Sequence, residues 1–230
     1  MNLRSLLSTL ALAFTSVAST ALKADTVSIV EAGVGANETV WINSSNLGNN
    51  LHVYAGVLKL TVDGVATNGF CIDPWHWSSS SALPYELEPL ANAPKSANDS
   101  SPNPMGASTA LKIEQLWQQY YTPAISNVNA AALQIEIWQL VDLAVSNGSF
   151  QLLSIDGGDS AAVYAAIADM NNFLNSNPNA PAANLIAATG RGQDYVFQSV
   201  PDNGTTALLL GLSLFGFVAI YRKSRVGQHA

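Results

Sequence analysis

Residues 58–73 read LKLTVDGVATNGFCID. Leu58, Leu60 and Val62 alternate with Lys59, Thr61 and Asp63, the period of two that turns one set of side chains inward along a strand. Asp63-Gly64 is a tight-turn pair, so the chain is expected to reverse there and return through Val65 to Phe70, Cys71 and Ile72. This hairpin makes the first half of the chain β. Upstream, Thr26 to Val30 and Thr39 to Ile42 are rich in β-branched residues and read as two more strands.

Downstream, Ser78 to Ala107 is rich in Ser, Pro, Asn and Ala without a sustained apolar period, which predicts a long surface loop. Helical periodicity then begins. Ile113, Leu116, Trp117 and Tyr120 share one face, and Thr122-Pro123 breaks the pattern. Leu133, Ile137, Leu140, Val141 and Ala144 mark a second helix, with Asn129 as its expected cap. A third, capped near Asp159 or Ser160, places Val163, Tyr164, Ile167, Met170 and Leu174 inward and stops at Asn177-Pro178. Tyr195 to Val200 reads as a last strand. No internal repeat or heptad pattern is present. The fold class expected is α+β, a β-rich sandwich or barrel with a helical subdomain.

Both ends of the chain carry targeting patterns. Arg4, an apolar run from Leu6 to Val17 and small residues up to Ala21 or Ala24 have the order of a secretory leader, with cleavage expected before Leu22 or Asp25. From Asn203 to Tyr221 no charge occurs, and Arg222, Lys223 and Arg225 follow. Such a stretch is long enough to cross a hydrocarbon core of about 30 Å as a helix, with the basic end on the cytoplasmic side. The sequence Val200-Pro201-Asp202-Asn203-Gly204, the helix at 205–221 and the basic cluster, in that order, resemble the VPDSG subclass of PEP-CTERM sorting tails. Asn203 stands where that family usually has a smaller residue. The resemblance implies an exosortase-like processing enzyme as partner and a precursor held in the membrane. It divides the chain into a signal peptide at 1–24, an ectodomain at 25–199 and a sorting signal at 200–230.

Removing both ends leaves about 175 residues, the size of one domain. Five of the nine basic residues, Arg4, Lys23, Arg222, Lys223 and Arg225, sit in the end segments, so the formal charge of -7 understates the acidity of the ectodomain. Nucleic acid is therefore not an expected partner. With 11% charged residues, solubility rests on neutral polar groups.

One cysteine, Cys71, stands in a chain bound for an oxidising compartment, so no internal disulfide is available to it. Gln134 lies on the same helical stripe as Ile137, Trp138 and Val141, where an unpaired carboxamide costs about 1 to 3 kcal/mol. These two anomalies resolve each other if the cysteine sulfur attacks the glutamine carboxamide, expels ammonia and leaves an internal thioester. Phe70-Cys71-Ile72-Asp73 and Leu133-Gln134-Ile135-Glu136-Ile137-Trp138 resemble the paired motifs of thioester domains in Gram-positive surface adhesins. Glu136 occupies a position that is usually small or apolar in that family. Similar segments occur in PEP-CTERM proteins, so the resemblance spans Val53 to Asp142. It implies an acyl-accepting sulfur at Cys71, an acyl carbon at Gln134, a pocket shaped by Asp73 and Trp138, and proton transfer by His76. The implied function is covalent adhesion to a nucleophile on a surface or matrix partner, used once, without turnover and without a cofactor or metal.

Two other classes stay open on these residues. In one, the chain is a non-reactive envelope or matrix protein with a buried cysteine beside a hydrogen-bonded glutamine. In the other, Cys71 and His76 form a surface thiol hydrolase, with Asp73 as the sole placed acid. His52 and His229 read as isolated, Asp156-Gly157-Gly158-Asp159 as a turn and helix cap rather than a calcium loop, and Trp75, Trp77, Trp117 and Trp138 as core packing.

Overall fold

The computed structural model describes residues 26–94, 103–145 and 149–199. The expected hairpin is present. β1 (Thr26–Ser44) pairs with β2 (Gly48–Val62), and β2 with β3 (Val65–Cys71), across a two-residue turn that leaves Val62 opposite Val65. Asp63 and Gly64 both have positive φ, 47° and 83°, as a turn matched to the twist of its strands requires.

The two strands expected at Thr26–Val30 and Thr39–Ile42 are the ends of one long β1, whose register shifts between Glu31 and Gly33 and between Val34 and Asn37. Bulges of this kind let a strand bend and change partner on one edge. The first part of β1 pairs with β4 (Leu83–Pro89), and its last part with β5 (Phe150–Ile155). β4 lies inside the segment expected to be a long loop. There the chain is held as strand by β1 on one side and by β6 (Leu185–Gly190) on the other, and a short 3₁₀ turn at Leu90–Asn92 follows.

β6 pairs with β7 (Tyr195–Gln198) and β7 with β3, so the antiparallel ladders β1-β2-β3-β7-β6-β4 return to β1 and close a barrel. Of the two β-rich forms expected, this is the barrel. β7 starts where expected and ends at Gln198; Val200 lies outside the described residues.

Three helices cover the barrel: α1 (Gly106–Tyr120), α2 (Asn127–Val145) and α3 (Ser160–Ser176). α2 packs on β1 and β2 and is flanked by α1 and α3. Ala130 to Trp138 are consequently all buried, including Gln134 and Glu136. A helix enclosed on several sides has no polar face to show, which is why its sequence runs apolar beyond one stripe. Ser126 rather than Asn129 caps it, its hydroxyl accepting the Asn129 N–H at 3.2 Å. Asp159 precedes α3 without a side-chain capping bond, and Tyr164, expected inside, is 47% exposed.

Candidate functional site

Cys71 is the last residue of β3, and the approach of that strand to its neighbours depends on Gly69. A Cβ there would stand 2.7 Å from the Val196 carbonyl oxygen and 2.9 Å from the Leu60 side chain. Phe70 packs edge-on against Trp117 of α1, at 5.3 Å between ring centres, and so anchors the strand end beneath the helices.

The ladder between β2 and β3 ends at Leu58 opposite Gly69. Two residues on, the Gln134 carboxamide makes the pair of bonds that a strand residue would make. Its Oε1 accepts the Cys71 N–H at 2.9 Å, and its Nε2 donates to the Cys71 carbonyl at 2.8 Å. Both residues are buried, 2% and 1% exposed, and both ends of the carboxamide are held against the Cys71 main chain. The two residues singled out by sequence, 63 positions apart, are thus brought together.

Asp73 organises the chain just beyond. Its N–H points to the Cys71 sulfur at 3.3 Å, its Oδ1 accepts the Trp75 N–H at 3.1 Å, and its Oδ2 lies 2.6 Å from His76 Nδ1. A carboxylate on one ring nitrogen fixes the orientation of an imidazole and favours a proton on that nitrogen, which leaves proton exchange to Nε2. Gln193 closes the loop by donating to the His76 carbonyl at 3.2 Å, and Ser44 does so by donating to the Pro74 carbonyl at 2.8 Å. Trp75 is core, as expected, with its indole on Ser149, which in turn bonds Asp142 at the end of α2.

Cys71, His76, Gln134 and Trp138 line one cavity of about 200 Å³. Burial pushes the Cys71 thiol far up from its ordinary range and the nearby Asp73 charge adds to this; the Trp138 indole acts the other way. The buried indole nitrogen makes no hydrogen bond among the described residues, and its influence is smaller than those of burial and Asp73. A protonated thiol needs a base before it can attack, and His76 lines the same cavity.

Glu136 is turned elsewhere. Its Oε2 accepts the Asn171 side-chain N–H of α3 at 2.9 Å, so the unusual acid in the glutamine motif joins two helices. Trp77 is not core: it is 57% exposed and lines the cavity. Nor is His52 isolated. It stacks on Trp41 at 4.4 Å between ring centres, and its Nε2 lies 2.6 Å from Asp156 Oδ2. Trp41 bonds the other oxygen of Asp156 at 3.0 Å, so that carboxylate is engaged as the turn partner of two rings. His229 lies outside the described residues.

Sequence reading missed Glu31, Tyr54 and Gln193, which also line the cavity. Only Glu31 carried a signal, since it continues the inward alternation of Val27 and Ile29 with an acid.

The end of the chain gives a separate indication. Residues 199–224 match the VPDSG-CTERM motif. The VPDSG-CTERM tail covers Val200, Pro201, Asp202, Asn203, Gly204, Arg222 and Lys223 and stops one residue short of Arg225. A PEP-CTERM-type tail indicates an exported protein directed to the cell surface, with a membrane-associated precursor processed by an exosortase-like enzyme. The sorting residues, the helix expected at 205–221 and the signal peptide expected at 1–24 lie outside the described residues. Neither the comparison with curated proteins nor that with solved structures finds a match.

Proposed function

We propose that the ectodomain is an adhesin-like module that attaches itself covalently, once, through a thioester between Cys71 and Gln134. The observation that carries this reading is the docking of the Gln134 carboxamide on the Cys71 main chain by two reciprocal hydrogen bonds. The sulfur is one side-chain torsion away from that main chain. His76, oriented by Asp73, takes the thiol proton as the sulfur adds to the carboxamide carbon. The Cys71 N–H that already bonds Oε1 supports the negative charge gathering on that oxygen. The C–N bond then breaks, the nitrogen receives the proton from His76, and ammonia leaves.

In the attachment step an outside nucleophile adds to the same carbon, the C–S bond breaks, and the sulfur is protonated. The product is an amide or ester at Gln134 and a free thiol at Cys71. Nothing returns the site to the thioester, so there is no turnover. The sorting tail supports the part of this reading that concerns export and direction to the cell surface.

The purified protein is expected to be lighter than its sequence mass by one ammonia, and the deficit to vanish in Cys71→Ala and in Gln134→Ala. Methylamine should add at Gln134 and free one thiol. Full mass with intact Gln134 and a free thiol before treatment would favour a second reading, a non-reactive envelope or matrix module. That reading draws on the same two hydrogen bonds of the carboxamide, which suit a purely structural glutamine equally well.

A further inference from the structure

The cavity that reaches Cys71 and Gln134 has a polar feature that thioester formation does not use. Glu31 lines it, and Glu31 Oε2 is buried without a hydrogen-bond partner among the described residues. A buried carboxylate oxygen left unpaired is costly, and native proteins rarely keep one without a use. Among the described residues no Lys or Arg lines the cavity; its only basic side chains are those of His52 and His76, and each is bonded to another carboxylate, Asp156 and Asp73. Tyr54 and Trp77 line it too, and they are 60% and 57% exposed. Aromatic faces at an entrance attract cations, and a carboxylate farther in holds them.

We infer that Glu31 is the specificity residue of this cavity, receiving the ammonium form of a primary amine and thereby selecting amines over hydroxyls as the group attached at Gln134. The inference rests on the thioester reading. An amine enters as the ammonium ion, which cannot attack because its nitrogen has no lone pair. Glu31 binds it by a charge-assisted hydrogen bond and takes one proton. The neutral nitrogen adds to the Gln134 acyl carbon, the C–S bond breaks, a second proton passes from nitrogen to sulfur, and the amide keeps the third. Glu31 returns its proton to water. An alcohol brings no charge to Glu31 and gains from the carboxylate a single hydrogen bond without an ion pair.

The test compares methylamine with methanol, probes of nearly equal size, on protein whose ammonia deficit shows that the thioester has formed. The parent should add methylamine faster than methanol, with methanol raised in concentration until the methyl ester can be measured and both rates expressed per unit concentration. Glu31→Gln keeps the shape and loses the charge, and its methylamine rate should fall by about tenfold or more, the scale of a lost charge-assisted bond. Its preference for methylamine over methanol should shrink with it, which a merely structural role for Glu31 would not cause. The parent supplies a second measurement that does not depend on recovering Glu31→Gln with its thioester. Tetramethylammonium, a cation with no N–H to react, should slow methylamine addition more than sodium at the same ionic strength. An unchanged preference in Glu31→Gln, or equal slowing by the two salts, overturns the role of Glu31 and leaves the thioester standing. A parent without the ammonia deficit overturns both.

Discussion

Replacing Glu136 by Gln should stabilise the protein, and by an amount that depends on pH. Glu136 is 2% exposed in the middle of α2, and burial raises its carboxyl from 4.5 to about 7 even though the Asn171 hydrogen bond and Lys112 pull it back. The folded state therefore holds the proton more tightly than the unfolded chain. Its contribution to stability is fully present below about pH 4.5 and is lost as pH rises through about 7. A difference of about 2.5 units at about 1.4 kcal/mol each gives a loss of about 3 kcal/mol. Gln keeps the oxygen that accepts from Asn171 and has no proton to lose. The advantage of Glu136→Gln over the parent should thus grow from under about 1 kcal/mol near pH 5 to about 3 kcal/mol near pH 8. Urea unfolding of both proteins across that range measures it, and the difference between them cancels the other titrating groups. A difference that stays constant with pH would show that Glu136 is charged in the folded state, and the assignment of its environment would be wrong.

His76→Ala should leave the fold intact but slow thioester formation by about a hundredfold or more, because the buried thiol loses its base; mass spectrometry should find full-mass protein where the parent shows the ammonia deficit, and an equal deficit would remove His76 from the chemistry. Gly69→Ala should cost about 1 to 3 kcal/mol in unfolding experiments, since its methyl group would press on the Val196 carbonyl and the Leu60 side chain; an unchanged midpoint would mean that the strands yield there. Replacing Pro201 and Asp202 within the VPDSG-CTERM tail should leave uncut precursor in the membrane fraction, read by immunoblot, and processing like the parent would remove these residues from the sorting signal.

What could be read from sequence followed how local the determining forces are. The Asp63-Gly64 turn is specified by the two residues that make it, and the three helices by their own periodicity and breakers. β4 was hidden because Pro84 and Pro89 interrupt its pattern, and what makes it a strand is β1 and β6 on either side, residues far away in the chain. β6 was hidden for a related reason: Leu185–Gly190 is a short run of mostly small residues, whose conformation is fixed by its partners. At the site, Cys71 and Gln134 stood out as misfits, one thiol without a mate and one carboxamide on an apolar stripe. Their pairing needed only contact to make sense of both. Asp73 and His76 were legible through their proximity to Cys71. Glu31 offered only a faint signal, an acid continuing an inward alternation, which becomes conspicuous once its Oε2 is seen to lack a hydrogen-bond partner among the described residues.

The perturbed thiol bears on the direction of the proposed thioester chemistry. A buried Cys71 beside the Asp73 charge resists becoming a thiolate, which looks unfavourable for a nucleophile. The same environment, however, disfavours only the charged form of the sulfur. In a thioester the sulfur carries neither charge nor proton, so burial does not penalise it, and exclusion of water protects the bond from hydrolysis. After attachment the sulfur leaves and is protonated at once, and a thiol held so far up its titration range has little thiolate with which to attack the new amide. The reverse step is therefore suppressed by the burial that protects the bond beforehand. On the proposed mechanism His76 would be needed for the first step, when a neutral thiol must lose its proton against this gradient, and in the last step proton transfer would run with it. The proposed site would thus be slow to load, stable while loaded and irreversible once spent, as a single covalent attachment requires.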